Sequence, residues 1–386
     1  MASDTVKTLR PDWDELRRAM PVARQWAYFD HAAVAPISQP ARDVLIAWSQ
    51  DLAENGDVNW NDWAARLADV RERGAALIGA DPSEIALVRN TTEGINLVAE
   101  GFPWREGDNC ITLADEFPSN QYPWMNLASR GVECRRVAPE AGRVDLAAIE
   151  RACDARTRVV AISWVNFAHG WRNDLDALAD LAHRRGALLF VDAIQALGVF
   201  PLDVGRTRID FLAADGHKWL LGPEGAGLFY VRREHLDLLR PLGVGWNSVR
   251  HDRDYNHIEL TVKDTAARYE GGTYNMPGLQ ALGASLDLLA QYKIQDIAER
   301  LLEITDDACR RLEAIGARVV SHREPERASG IVAFEMPTGN PLAIKKRLLA
   351  QQVVVSCRAG RLRISPHAYT NGDDLDRLID ALRRSE

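Results

Sequence analysis

The stretch from Asp210 to Val231 constrains this chain more than any other. An apolar run, Phe211 to Ala214, stops abruptly at Asp215-Gly216-His217-Lys218. A glycine-rich turn follows, and Gly227 to Val231 reads as another strand. The pattern puts a lysine at the end of a buried strand, where α/β sheets collect ligands. A lone Lys-Trp pair is ordinarily a solvated loop, but a second stretch changes that reading. Ala187 to Val191 is apolar and ends in the carboxylate of Asp192, with Gln195 three residues further on. Neighbouring strands ending in Asp192 and Lys218 would bring a carboxylate and an amine into one pocket. A desolvated amine there can lose its proton and attack a carbonyl, forming a Schiff base.

Upstream segments repeat the same grammar. Ile85 to Asn90 reads as a strand, and Thr91-Thr92-Glu93-Gly94 opens a helix. Hydroxyls and free N–H groups at a helix start attract anions, although capping alone also favours threonine there. Cys110 to Asp115 is another strand running into Glu116-Phe117-Pro118-Ser119, and Val159 to Asn166 is a third. This βαβ rhythm predicts a mainly parallel sheet. Gly222 to Gly227 lacks the strand–glycine–helix order of a dinucleotide loop and reads as a turn.

At 386 residues the chain exceeds what one core usually holds, so two domains are expected. We expect an N-terminal arm over 1–25 that packs with the small domain, a large domain over 26–275, and a linking helix with a small α/β domain over 276–386. Leu279, Leu282, Leu286 and Leu289 mark the linking helix, and Leu375, Leu378, Ile379 and Leu382 a closing one. The formal charge of −8, without a basic stripe, argues against a nucleic-acid partner. With no apolar h-region and no bilayer-length apolar run, no membrane is expected and the cytoplasm is the expected compartment. Five scattered cysteines without CxxC spacing indicate neither disulfides nor a metal site. The Trp-rich segment 57–63 has no assignment.

A lysine that holds an aldehyde and an aspartate that keeps a pyridinium nitrogen protonated are the two requirements of pyridoxal 5′-phosphate (PLP) chemistry. Val191-Asp192-Ala193-Ile194-Gln195, followed by Gly216-His217-Lys218-Trp219, resembles class V aminotransferases and cysteine desulfurases of the fold-type I PLP-dependent transferase fold. The resemblance runs from Tyr28 to the last helix. It implies Lys218 as the covalent anchor and general base, Asp192 at the ring nitrogen, and Gln195 and Asn166 near the ring hydroxyl. Thr91 and Thr92 fall to the cofactor phosphate, His217 is a further cofactor contact, and Phe117 stands on the ring face where related desulfurases carry a histidine.

By the same resemblance, Arg363 and Asn166 take the substrate carboxylate, and the Tyr28-Phe29-Asp30-His31-Ala32-Ala33 segment, with His31 and Ala32, borders the substrate. Thr273 in Gly271-Gly272-Thr273-Tyr274-Asn275 would reach the phosphate of a second subunit, implying a homodimer with shared sites. Arg358 and Arg361 read as solvated. Cys357 sits where a persulfide nucleophile would, but the long loop of the desulfurases is missing, so a structural cysteine is expected. The implied enzyme acts on an amino acid as a Cβ–S lyase of desulfurase type. Transamination and epimerisation are the alternatives, and a non-catalytic PLP-binding protein is the remaining one.

Overall fold

The computed structural model describes residues 11–140 and 142–384. The first ten residues of the expected 1–25 arm and the last two of the chain therefore lie outside the described residues. The centre is a seven-stranded sheet. Its strands in chain order are β1 (Ile85–Val88), β2 (Asn109–Leu113), β3 (Glu133–Val137), β4 (Thr157–Ser163), β5 (Leu188–Asp192), β6 (Phe211–Asp215) and β7 (Gly227–Val231). Across the sheet the order is β1-β7-β6-β5-β4-β2-β3. Only β7 opposes its neighbours, pairing antiparallel with both β1 and β6.

Apolar runs become interior strands here because helices cover both faces of a parallel sheet. Every residue of β6 and β7 is buried. The strand order reverses between β2 and β4, and the crevice outside their carboxyl ends is where α/β sheets bind ligands. Register completes the alignment: Ser163 pairs with Asp192, and Asp192 with Ala213, so β4 and β5 end level and β6 runs two residues further, to Asp215.

The helix Thr91–Gly101 lies directly on β6. A Cβ on Gly94 would fall 2.5 Å from the Cβ of Ala213, so only glycine allows this approach. Asn90 caps the helix by accepting from Glu93 N, and Thr91 Oγ1 accepts from Asp215 N at 3.0 Å. The helix start is thereby fixed to the end of β6.

The C-terminal residues build a second, four-stranded antiparallel sheet from Arg318–Val319, Val332–Glu335, Ser356–Arg358 and Arg361–Ile364. The early chain is stitched to it. Ala27–Tyr28 pairs parallel with Val353–Val354, and Arg17 reaches Asp374 at 2.5 Å. Ala27 and Phe29, beyond the boundary expected at residue 26, are buried in the C-terminal core. The leucine stripe expected of a linking helix is buried along Met276–Leu289, and after a break a second helix runs over Ile294–Ala314. No helix among the described residues is long and apolar enough to cross a membrane.

Gly94→Val would force the Thr91–Gly101 helix away from β6. We expect a loss of about 1–3 kcal/mol from overpacking, read as a lower denaturation midpoint, together with weaker anion binding at the helix start. A variant as stable as the wild type would show that the helix is not seated on β6 as described.

Candidate active site

The turn after β6 sets the lysine. Gly216 N donates to Ala226 O at 2.8 Å, and a Cβ on Gly216 would stand 2.7 Å from that oxygen. Glycine therefore lets the backbone close tightly before His217 and Lys218. Lys218 is only 8% exposed. It opens with Asp192, Gln195, Phe117, Thr91, Thr92, His217, Ala32 and Arg363 onto a cavity of about 290 Å³.

Burial dominates the electrostatics. Desolvation pulls the Lys218 amine down to about 8, even though Asp192 favours its charged form, and the cations Arg363 and Arg358 add to the depression. Desolvation likewise pushes Asp192 up to about 6, against the N–H of Ile194, which donates to Oδ1 at 3.1 Å, and against Lys218. Each group feels the other's charge, yet burial outweighs the attraction on both sides.

Glu116 was not singled out in the sequence. It is fully buried, accepts from Ser163 N at 2.7 Å, and takes the Ser163 hydroxyl as well. Desolvation pushes its carboxyl up to about 8, so it is neutral at pH 7. This clamp joins the loop after β2 to the end of β4 and carries Phe117 to the cavity wall. The Phe117 ring is 42% exposed, with Lys218 Nζ 5.6 Å from its centroid and Phe167 edge-on at 5.2 Å.

At the helix-start end, Thr92 Oγ1 donates to Ser119 Oγ at 2.9 Å, and His217 Nδ1 lies 2.8 Å from Asp215 Oδ2. Ser119 and Asp215 line the cavity too. Neither carried a sequence signal beyond its place beside a motif residue. At the opposite end Arg363 is 1% exposed and held by three acceptors. Its Nε donates to Ser356 Oγ at 2.9 Å, one terminal nitrogen to Phe167 O, and the other to Asp30 Oδ1 at 3.1 Å. Burial pulls this guanidinium down to about 10.

Several expected contacts differ. His31 is sealed behind the wall, with Nδ1 2.9 Å from Ser365 O and Nε2 2.8 Å from the Tyr369 hydroxyl. Both ring nitrogens are used, so His31 is corrected from substrate contact to wall support, whereas Ala32 does line the cavity. Asn166 spends its amide joining two loops: Nδ2 donates to Asp115 after β2, and Oδ1 accepts from the Ala168 and His169 N–H groups of its own loop. It does not line the cavity, and Phe167 takes that place. Gln195 lines it, but its oxygen accepts from Trp219 Nε1 and its nitrogen donates to Ala32 O, leaving one amide hydrogen. Thr273 is exposed in a separate cleft with Gly271, Gly272 and Tyr274. Arg358, expected to be solvated, is half-buried in the cavity wall. The Trp-rich segment leads into the helix Trp60–Ile78, where Arg253 stacks on Trp60 at 4.1 Å.

A buried amine and carboxylate at the carboxyl ends of an α/β sheet, with an arginine opposite, define a site for carbonyl–amine chemistry on a carboxylate-bearing molecule. Residues 27–378 match the aminotransferase class V family, and the chain belongs to it. It is 32% identical to a probable cysteine desulfurase of Methanothermobacter thermautotrophicus, over 96% of this chain and 97% of that protein. It is 29% identical to the isopenicillin N epimerase of Streptomyces clavuligerus, over 96% and 97%. Among solved structures, a lysine-to-alanine mutant of C-DES with glycine covalently linked to its PLP cofactor superposes with a TM-score of 0.90. Identity there is 23%, with coverage of 96% of this chain and 99% of that one.

The donor set fits PLP: an amine for the aldehyde, a buried carboxylate for the ring nitrogen, an aromatic face, and a helix start bearing hydroxyls for the phosphate. We expect Lys218 of the cofactor-free protein to react with a small aldehyde, trapped by cyanoborohydride, with a midpoint near pH 8 rather than near the ordinary lysine value of 10.5. Asp192→Asn should lower the midpoint further, because the Asp192 charge favours the protonated amine. A wild-type midpoint near that of a free lysine, measured by peptide mass spectrometry, would contradict the burial of Lys218.

Proposed function

We propose that this chain is a desulfurase-like lyase that cleaves the Cβ–S bond of a cysteine-derived amino acid. The observation that carries the proposal is the convergence of Lys218, Asp192 and Arg363 on one cavity. Bound to Lys218, PLP supplies an aldehyde for the substrate amine and a ring that accepts the electron pair released at Cα. Arg363 holds the substrate carboxylate, its planar fork suiting the two oxygens. Asp192 would hold the proton of the ring nitrogen, and Phe117 would supply an aromatic face for the ring. The helix start at Thr91 and Thr92, with His217, would hold the phosphate. Lys218, its amine released and near neutrality, takes the Cα proton. The Cβ–S bond then breaks, and sulfur leaves with its bonding pair. Phe117 cannot move a proton, so proton transfer falls to Lys218.

Cys357 decides between direct release and persulfide transfer. Ser356–Arg358 and Arg361–Ile364 form a hairpin with a two-residue turn, Ala359 and Gly360, both at positive φ (47° and 75°). Ser356 pairs with Arg363 and Arg358 with Arg361, so these four share one face. Cys357 lies on the other face, opposite Leu362, which is buried in the C-terminal core. A tight hairpin with its sulfur turned from the cavity cannot deliver that sulfur to the substrate.

The test is a panel of amino acids, with and without 2-oxo acids, followed by product analysis. Pyruvate, ammonia and reduced sulfur from a cysteine derivative, retained in Cys357→Ser, are the expected result. Alanine formation with an extra sulfur on Cys357, lost in Cys357→Ser, would replace direct release by persulfide transfer. Inversion at Cα would favour the epimerase reading, which the similarity to isopenicillin N epimerase supports, and amino-group exchange would make the chain a transaminase.

We further propose a homodimer in which Thr273 completes the partner's phosphate site. Thr273 is exposed outside its own cavity, and Tyr255, Ile258 and Leu260 nearby in sequence are 68%, 92% and 74% exposed. Apolar side chains displayed together mark contact surfaces. Light scattering should give a dimer, and Thr273→Ala should weaken PLP retention while the dimer persists. A fully active monomer at assay concentration would overturn the shared site.

A further inference from the structure

The cavity contains one guanidinium more than its proposed chemistry uses. Three arginines lie on the cavity-facing side of the C-terminal hairpin, and two of them have carboxylate partners. Arg363 is bonded to Asp30 at 3.1 Å, and Arg361 to Glu335 at 2.9 Å. Arg358 donates only to the carbonyl of its neighbour Cys357, at 2.9 Å, and has no carboxylate partner among the described residues. It is nevertheless half-buried and lines the cavity beside Lys218 and Arg363.

Its charge acts on both of those groups in the unfavourable sense, disfavouring their protonated forms. Neither carboxylate in the cavity wall pairs with Arg358: Asp192 Oδ1 accepts from Ile194 N, and Asp215 Oδ2 faces His217. A half-buried cation among cations, without a counter-ion from the protein, is stabilised when an anion arrives with the ligand.

We propose that Arg358 recognises a second carboxylate, at the far end of the substrate side chain, so that the substrate is a cysteine thioether or disulfide with an acidic terminus. The geometry matches such a molecule. Arg358 and Arg363 are diagonal neighbours across the hairpin, since Arg363 pairs with Ser356, two residues before Arg358. Diagonal positions lie about 7–8 Å apart, and the arginine stems extend that reach. A substrate gripped by its α-carboxylate on Arg363 can thus place a distal carboxylate, several atoms beyond Cβ, against Arg358. The tight Ala359-Gly360 turn holds Arg358 in register, which makes it a fixed selector.

This inference names the substrate class of the lyase proposed above, and its test separates the two. Turnover is compared for S-(2-carboxyethyl)-L-cysteine and the neutral S-propyl-L-cysteine, with L-cystine and L-cysteine sulfinate as further arms. Binding is compared for L-2-aminoadipate and L-norleucine, which contain no C–S bond, through the visible absorption of the bound cofactor. We expect the wild type to prefer the acidic member of each pair. Arg358→Gln should reduce the acidic-to-neutral ratio of kcat/KM and of affinity about ten- to a hundredfold, and Arg358→Lys should restore part of it. A ratio unmoved by Arg358→Gln, no wild-type preference, or a preference confined to cysteine sulfinate would overturn the assignment. If the binding preference stands while no substrate loses sulfur, the lyase reading fails and the Arg358 subsite survives.

Discussion

Desolvation of the Lys218 amine is the constraint on which the rest depends. Moving that amine from its ordinary value of 10.5 to about 8 corresponds to roughly 3 kcal/mol between protonation states. Asp192 and Asp215 oppose the shift and Arg363 and Arg358 add to it, but its largest cause is that water is kept out. The exclusion is assembled from both ends of the chain. Trp219 is buried beside the lysine and donates to Gln195, and His367 reaches the Trp219 carbonyl at 3.3 Å. His31 and Tyr369 close the layer behind them. His31 and His367 are themselves forced neutral by burial, down to about 3 and about 4, so the layer adds no charge against the amine. The stitching of residues 27–30 to the C-terminal sheet therefore has a catalytic consequence, since loosening it would readmit water around Lys218.

The sheet and its strand-end groups were legible because their signal is contiguous. Apolar runs ending in Asp192 and in Asp215-Gly216-His217-Lys218 state both the strand and the polar group that emerges from it. The glycines were legible in part. Gly216 is required by the approach to Ala226 O, and Gly94 by Ala213, but neither close approach can be read from one strand alone.

Side-chain direction was not legible. The segment 28–33 was recognised as bordering the pocket, yet within it Ala32 and Ala33 face the cavity while His31 faces the core. Asn166 and Phe167 divide in the same way, the amide tying its loop to Asp115 and the aromatic ring serving the wall. Arg358 was misplaced because its position follows from the register of a hairpin with a two-residue turn. A one-residue slip would turn Arg358 and Arg363 away and bring Cys357 in. The expected absence of a mobile cysteine loop and the unexpected presence of Arg358 thus share one cause.

Glu116 shows how the cavity limits its negative charge. It is the residue before Phe117, buried close enough to Asp192 for the two charges to oppose each other. Were both ionised, Asp192 would be pushed further from the charged form that a protonated ring nitrogen requires. Burial instead leaves Glu116 neutral, and its carboxyl is spent on the backbone and hydroxyl of Ser163. A neutral clamp holds strands β2 and β4 together at the crevice without competing for a proton. Phe117, one residue on, offers a face and no acid. On the proposed reading, the proton taken from Cα then falls to the Lys218 amine and not to residue 117. A wall that offers no acid at position 117 suits the proposed reaction, in which sulfur departs as an anion that needs no proton, and that is the physical link between Phe117 and the reading of direct C–S cleavage.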